Sequence, residues 1–263
     1  STEVNLQALR EQITQLVPYQ MPYNVVTNIN GDPSTSMAFC WFTNERMTEG
    51  VVQLMAITDD VLPEGASFVA SKTVEATPTV TKALNYATSS SGILKAAKMK
   101  ATQKYTYVSH KTIVDGLTPN TTYAYRVGVE GYWSEIGKFT TASKGDDAFT
   151  FIYMTDSHIM NQEYIDDARL CAEAAAKNTP EARFCVFPGD FVETGTNRNS
   201  EWEWERWFDE ALQPVVNQMP IVPTDGNHDD SSNQNYTYHF NTDNQFKENA
   251  KVKPQFDGTT YSF

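Results

Sequence analysis

Three short apolar runs in the second half of the chain each end in a polar turn that carries ligand-type side chains. Phe149-Thr-Phe-Ile-Tyr-Met154 leads into Asp156-Ser157-His158, Phe184-Cys-Val-Phe187 into Gly189-Asp190, and Ile221-Val222 into Gly226-Asn227-His228-Asp229. Helical patterns separate the runs. Ile165, Ala168, Ala172 and Ala175 share one helical face within residues 162–178. Ser200 and Glu203 make a capping box that opens a helix with Trp204, Trp207, Phe208, Ala211, Leu212 and Val215 on one side. The order β-α-β-α-β predicts a parallel sheet with right-handed crossovers. The first run is nearly continuous in apolar residues, which predicts a strand buried on both faces. The carboxyl ends of such strands open on one crevice, so the three turns are expected to converge.

Carboxylates, imidazoles and an amide gathered in one crevice suit Mn, Fe or Zn better than softer ions. Two neighbouring ions need a bridging oxygen ligand, and an Asp on a glycine-preceded turn can approach both. Such a pair would cancel local negative charge, bind a phosphate and activate a water for in-line attack. The charge distribution gives such ions a purpose. Residues 1–145 carry 12 acids and 12 bases, whereas the remainder carries 21 acids and 8 bases, the whole net charge of −13. The acidic half repels nucleic-acid backbones and anionic membrane surfaces, so no nucleic-acid partner is expected, and an anionic substrate would need added cations.

The front half has a different character. Residues 1–17 place Leu6, Leu9, Ile13 and Leu16 at helical spacing, and Pro18 and Pro22 end that helix. From Tyr23 to about Thr141 the chain is strand-like, with Met37–Thr43, Val51–Ile57, Tyr105–Val108 and Thr122–Val129 rich in β-branched and aromatic residues. Asn30-Gly31-Asp32-Pro33, Asp115-Gly116 and Pro119-Asn120 supply the turns. Strands at this spacing without helices predict a β-sandwich. Residues 60–100 are less regular and are expected to form an insertion, with the lysines of Lys95–Lys104 on a solvated face. Residues 142–148 form a polar linker. The domains expected are therefore a helix over 1–17, a sandwich over 18–141 and an α/β unit over 149–263.

Three cysteines, Cys40, Cys171 and Cys185, are too few for a disulfide framework, and Cys171 and Cys185 are expected in the core. Hydrophobic residues at 40% supply that core, and no apolar run is long enough for a membrane span. The chain shows no signal peptide and no initiator Met, as in a matured exported chain or a trimmed one.

The three turns resemble the motifs of the calcineurin-like metallophosphoesterases: Asp-x-His, Gly-Asp and Gly-Asn-His-Asp. Upstream, Asp32–Thr43, Gly116–Gly128 and Gly137–Thr141 resemble the fibronectin-III-like N-terminal domain of purple acid phosphatases. The resemblance covers about residues 19–263 and implies a β-sandwich followed by the α/β metallophosphoesterase fold. It implies a metal-dependent hydrolase of phosphoric esters, an acid phosphatase or phosphodiesterase, acting through a metal-bound hydroxide in a dinuclear site. Asp156 and His158 would bind the first metal, Asp190 would bridge, and Asn227 would bind the second. His228 would contact the phosphate and protonate the leaving oxygen, with Asp229 orienting it. Two divalent or trivalent ions (Fe, Mn or Zn) are implied for the intact enzyme, with one or none held by this chain. Export to the periplasm, cell surface or medium is also implied.

Two departures qualify the resemblance. Purple acid phosphatases usually have Gly at the position of His158 and an iron-binding Tyr at the position of Glu193, so no purple enzyme is expected, and Glu193 is expected to be either exposed or an outer-sphere group of the site. The later His and Gly-His-x-His motifs do not occur. The only histidines are His110, His158, His228 and His239, of which His110 belongs to the sandwich and His239 to loop or core. Thr260-Tyr-Ser-Phe263 resembles the start of the next family strand, so the sequence is expected to be the N-terminal half of the catalytic domain, with little activity of its own. Such a half leaves an open sheet edge and one uncovered face, and so an expectation of mobility or of self-association. The competing expectation is a non-catalytic surface binding protein with a degenerate phosphoesterase half.

Overall fold

A computed structural model describes residues 19–86, 103–193, 201–229 and 235–242. The expected N-terminal helix, the Ser200 cap, the 260–263 strand and most of the lysine run lie outside these residues.

Eight strands precede the first glycine turn of the sandwich's second half: β1 (Tyr23–Asn28), β2 (Ser36–Asn44), β3 (Val51–Ala56), β4 (Lys72–Glu75), β5 (Thr77–Val80), β6 (Leu84–Tyr86), β7 (Gln103–Tyr105) and β8 (Tyr107–Asp115). Then follow β9 (Thr122–Val129), β10 (Tyr132–Trp133) and β11 (Gly137–Thr140). The turns between them use the residues the sequence offered: Gly31, Gly116 and Asn120 all have positive φ. Strands β9, β3 and β4 with β10 and β11 form one layer of the sandwich, and β1, β2, β8 and β5 belong to the other. Met37, Phe39 and Trp41 of β2 pack against Val52, Leu54, Tyr125, Val127 and Phe139 between the layers.

In the second half, β12 (Thr150–Tyr153), β13 (Ala182–Phe187) and β14 (Ile221–Pro223) pair in parallel, as the β-α-β-α-β order requires. Helix α1 (Gln162–Asn178) makes the first crossover and starts on Asn161, whose side-chain oxygen accepts from Tyr164 N–H at 3.1 Å. The second crossover is α2 (Glu201–Arg206), which widens into a π turn over Trp207–Ala211 and ends in the short α3 (Gln213–Val216). Trp204, Trp207, Phe208, Ala211, Leu212 and Val215 are all buried, and each large side chain contributes roughly 2 kcal/mol of hydrophobic stabilisation.

The two halves share one sheet. Seven strands run in the order β12-β13-β14-β1-β2-β8-β5, with β1 parallel to β14 at Asn28 and Ile221. The first strand of the sandwich thus continues the sheet beyond β14, while β12 lies at its edge. The shared sheet is also covered on its helix side by one core: Val26 and Cys40 of the front half pack with Ile152, Cys185, Phe187, Trp204 and Trp207. His239, on α4 (Asn235–His239), seals this junction. Its buried ring stacks on Phe42 at 4.3 Å and on Trp204 at 4.7 Å, and its Nε2 lies 3.1 Å from Glu201 Oε2. Just beyond, Asn241 donates from its side chain to the carbonyls of Phe39 and Thr112, and its own carbonyl accepts from Asn28 and Asn30.

Two core expectations are corrected. Strand β12 is not buried on both faces: Ile152 points into the core, but Phe149, Phe151 and Tyr153 are exposed, with Phe151 stacked on Phe184 and Phe149 tilted against it. The second sandwich layer covers that side of the sheet only as far as the front strands. Strand β2, by contrast, is buried on both faces, between the second layer and the helices. Cys171 is exposed on α1, whereas Cys185 is buried in β13.

Candidate metal centre

Past its last strand residue, β12 runs into a turn in which Asp156 and His158 both have left-handed backbone, with φ of 57° and 44°. Asp190, after β13, shares it with φ 52°. Short polar side chains tolerate this region better than bulky or branched ones, and residues held in it concentrate where the surrounding structure fixes them for function. The neighbouring turn fixes these. Asp156 N–H donates to Gly189 O at 3.3 Å, His158 N–H to Asp190 O at 3.1 Å and Ile159 N–H to Phe191 O at 3.2 Å. Trp207 forms the floor: its Nε1–H donates to Ser157 Oγ at 3.1 Å, and that hydroxyl donates to Phe191 O at 2.9 Å.

The third turn meets the second backbone to backbone. A Cβ on Gly226 would lie 2.1 Å from Asp190 Oδ1 and 2.4 Å from Asp190 N, and one on Gly189 would lie 2.4 Å from Gly226 N. Only glycine at both places permits this approach. Asp229 then ties the two turns together. It is fully buried, and its carboxylate accepts from four backbone N–H groups: Asp190 at 2.7 Å, Gly226 at 2.8 Å, Phe191 at 2.9 Å and Val192 at 3.3 Å. Burial pushes its carboxyl up to about 6, against the pull of these bonds. The motif leads one to expect Asp229 to orient the His228 ring; both its carboxylate oxygens instead accept from these main-chain N–H groups. What holds the His228 ring is the carbonyl of Glu193, which accepts from Nδ1 at 2.8 Å.

The side chains gather as follows. His158, Asp190 and His228 each present a ligand atom within 4.8 Å of the others. His158 Nε2 lies 3.8 Å from Asp190 Oδ2 and 3.5 Å from Asp156 Oδ1. Asp190 Oδ1 is fixed by the His228 N–H at 3.0 Å. The two imidazole rings stand perpendicular, 4.7 Å apart. Asp156 is at the open rim, 57% exposed, with Oδ2 accepting from Thr155 Oγ1 at 2.7 Å. Asn227 is exposed on the third turn. The His228 pKa is raised, chiefly by the Glu193 carbonyl and further by the carboxylates of Glu193, Asp190 and Asp229.

Glu193 turns inward rather than out to solvent. Its side chain is 15% exposed, and Oε2 lies 2.7 Å from His158 Nδ1. Its own N–H donates to Glu203 Oε2 at 3.2 Å. An acid three residues after Asp190 was the available signal for this. Gly226 belongs to the Gly-Asn-His-Asp motif, but nothing in the pattern signalled that the Ser157 hydroxyl and Trp207 would form the floor of the site. The donor set, imidazole nitrogen beside a carboxylate, fits a divalent cation.

Residues 22–141 match the family model of the purple acid phosphatase N-terminal domain, and residues 149–261 match that of the calcineurin-like phosphoesterases. The class is thus a phosphoesterase domain behind a β-sandwich. Each half of the chain thus matches one family model, a purple acid phosphatase N-terminal domain in front of a calcineurin-like phosphoesterase domain. Among solved structures it is similar to PhoD, with 17% identity and a TM-score of 0.46 over 80% of this chain and 40% of that one. The chain therefore spans less than half the length of that protein. It is also similar to the FN1–FN3 domains of chicken CNTN1, at 16% identity and a TM-score of 0.27, over 48% of this chain and 31% of that one. A computationally redesigned β-sandwich matches at 20% identity and a TM-score of 0.26, over 48% of this chain and 98% of that one. No curated protein matches the chain.

Proposed function

We propose that this site hydrolyses phosphoric esters with the help of metal ions, as an acid phosphatase or phosphodiesterase. The observation that carries the reading is the meeting of His158, Asp190 and His228 on three turns of a phosphoesterase domain. In this reading, residues 18–141 and 149–263 are the two units of the chain. Asp156 and His158 hold one ion, Asp190 is shared, and Asn227 serves a second, which makes a dinuclear Fe, Mn or Zn site. Bound ions supply Lewis acidity and neutralise the phosphate. The chain's own residues do the rest. Asp229 holds the second and third turns in register. Asp190 is oriented by the His228 N–H. His228, with Nδ1 engaged, keeps Nε2 for a proton destined for the leaving oxygen.

Turnover by this chain alone should be slow, because His110 and His239 are buried elsewhere and only two imidazoles serve the site. The same shortage favours a second reading, a non-catalytic surface binding protein with a degenerate phosphoesterase half. The test is hydrolysis of p-nitrophenyl phosphate and its bis-ester with added Zn, Mn or Fe, alongside calorimetric metal titration. A slow, metal-dependent rate that Asp190→Ala abolishes supports the hydrolase. Metal binding without any rate supports the second reading, and no metal binding rejects the site. The family match of the front half supports export, checked by fractionating cells that produce the full gene product.

Self-association also belongs to this reading. Phe149, Phe151 and Tyr153 are exposed, and Phe149 lines a groove of about 690 Å³ whose walls also carry Arg183, Asp146 and Asp147. Opposite charges around one apolar patch suit a twofold pairing with a second copy. Sedimentation of the chain should show a dimer, which Phe151→Lys converts to monomer.

A further inference from the structure

Four tyrosines meet on the flank where the front strands reach helix α2. Tyr23 starts β1, Tyr86 ends β6, Tyr105 ends β7 and Tyr107 starts β8. Strand register brings them together. Strand β2 carries Tyr23 opposite Phe42 on one side and Tyr107 opposite Asn44 on the other, and β6 pairs with β7. The rings follow one another edge to face or tilted: Tyr23 to Tyr107 at 6.1 Å, Tyr107 to Tyr105 at 6.2 Å and Tyr105 to Tyr86 at 5.6 Å. All four line one cavity of about 620 Å³, together with Glu45 and Glu205.

The two acids are held by hydroxyls and not by cations. Tyr86 donates to Glu205 Oε2 at 2.9 Å, and Thr106 Oγ1 donates to Glu45 Oε2 at 2.8 Å. The guanidinium groups next to them in the chain are engaged: Arg46 lies over the Tyr19 ring at 4.5 Å, and Arg206 lies over Trp202 at 5.5 Å and pairs with Glu210. Lys104 also lines the cavity but is exposed. The field inside is therefore negative, and the phenols register it. Burial first, and then the Glu201 and Glu205 carboxylates, raise the Tyr107 hydroxyl far above its ordinary range; burial with Glu205 does the same for Tyr86. Both rings stay neutral and electron-rich.

We infer that this cavity is a binding site for a small organic cation of the quaternary-ammonium type, held by the rings of Tyr23, Tyr86, Tyr105 and Tyr107 and by the charge of Glu45 and Glu205. A methylated ammonium group has no hydrogen to donate, so aromatic faces and negative charge unmatched by a cation are what recognise it. A metal ion would demand a shell of oxygen ligands, and an anion would be repelled by both acids. A cavity of this size suits a small ligand. None of the lining residues belongs to the metal centre, so the inference stands apart from the metal-dependent reading.

Calorimetric titration of the chain with choline chloride, against sodium chloride at equal strength, tests it. Choline should bind, and its uncharged carbon isostere, dimethylbutanol, should bind at least about tenfold more weakly. Tyr105 is exposed, so substitutions there should leave the fold intact, which urea unfolding checks. Tyr105→Leu should weaken choline binding by about 3- to 10-fold, whereas Tyr105→Phe, which keeps the ring, should stay within about twofold. Glu205→Gln should weaken it by a similar factor and reduce its dependence on salt. No choline binding up to about 10 mM overturns the inference. So does equal binding of the neutral isostere, and so does a choline affinity indifferent to both Tyr105→Leu and Glu205→Gln. Phosphatidylcholine vesicles separate a free ligand from a lipid headgroup: the chain should stay in the supernatant, and co-sedimentation overturns the small-molecule assignment. Zinc has no part in these measurements, so their failure leaves the metal-dependent reading untouched, and the reverse holds as well.

Discussion

Replacing Asp229 by alanine removes the acceptor from four backbone N–H groups at once. Those of Asp190, Phe191, Val192 and Gly226 would be left inside a turn junction in which Asp229 itself is fully buried. A stranded buried donor costs roughly 1–3 kcal/mol, so the four together set a scale of about 4–12 kcal/mol. Two effects reduce it. Water can enter the space left by the carboxylate, and the wild type already bears the cost of a buried charge: a carboxyl raised from 3.8 to about 6 is disfavoured by about 3 kcal/mol in its ionised form. A net loss of roughly 3–5 kcal/mol at pH 7 is expected. The sign of the pH dependence follows from the upward shift. The folded state binds this proton more tightly than the unfolded state, so the stabilisation by Asp229 is complete below the unfolded value and is lost as pH rises through 6. The gap between wild type and Asp229→Ala should therefore widen by about 1 kcal/mol from pH 7 to pH 5. Asp229→Asn keeps one oxygen but turns an NH₂ toward two of the donors, so it should fall nearer to alanine than to wild type. Urea unfolding in metal-free buffer, followed by tryptophan fluorescence, measures all three chains. A loss below 1 kcal/mol for alanine, a harmless asparagine, or a gap that narrows at pH 5 would refute the clamp.

Three other perturbations follow from the same coordinates. Gly226→Ala places a methyl group 2.1 Å from Asp190 Oδ1, so it should cost at least about 2 kcal/mol in urea unfolding and abolish zinc binding. Trp207→Phe loses the donor to Ser157 and part of the floor, a cost of roughly 1–3 kcal/mol by the same assay. His110 is buried against Trp41, with Nε2 2.8 Å from Thr43 Oγ1, and burial lowers its pKa to about 4. A lowered histidine stabilises above its unfolded value near 6.5, so roughly 3 kcal/mol should disappear as pH falls from 6.5 to 4. His110→Gln should flatten that part of the profile in unfolding at stepped pH.

Periodicity and turn chemistry made most of the elements visible. Ile165, Ala172 and their neighbours lie on one face of a single helix, and the three apolar runs pair in parallel. What periodicity does not report is which neighbour covers a face. Phe149, Phe151 and Tyr153 alternate with Thr150 and Ile152 as a half-buried strand should, but their bulk made the run look continuous. Met37–Thr43 gives the same apolar signal and is enclosed on both sides. The difference lies in the packing partners, namely the second sandwich layer above β2 and the Trp-rich helix below it, and these are contacts at long sequence range. The pairing of β1 with β14 is of the same kind, since Tyr23–Asn28 carries no mark that it will lie beside residues almost two hundred positions later.

The site divides along the same line. Side chains that act directly stand next to strand ends in the sequence, so Asp156, His158, Asp190 and His228 could be found by where they occur. Side chains that set the geometry act through the main chain, and the main chain leaves no pattern. Asp229 illustrates the point: an acid beside a histidine suggests a pair, yet its four bonds run to N–H groups of two turns and make the approach of Gly189 to Gly226 a fixed distance. Glu193 illustrates the converse. Its side chain could have been guessed from its offset to Asp190, but the carbonyl that fixes His228 belongs to the turn and not to the residue type. The contact that holds the His228 ring should therefore survive any substitution at position 193 that keeps the turn, whereas the contact to His158 should not.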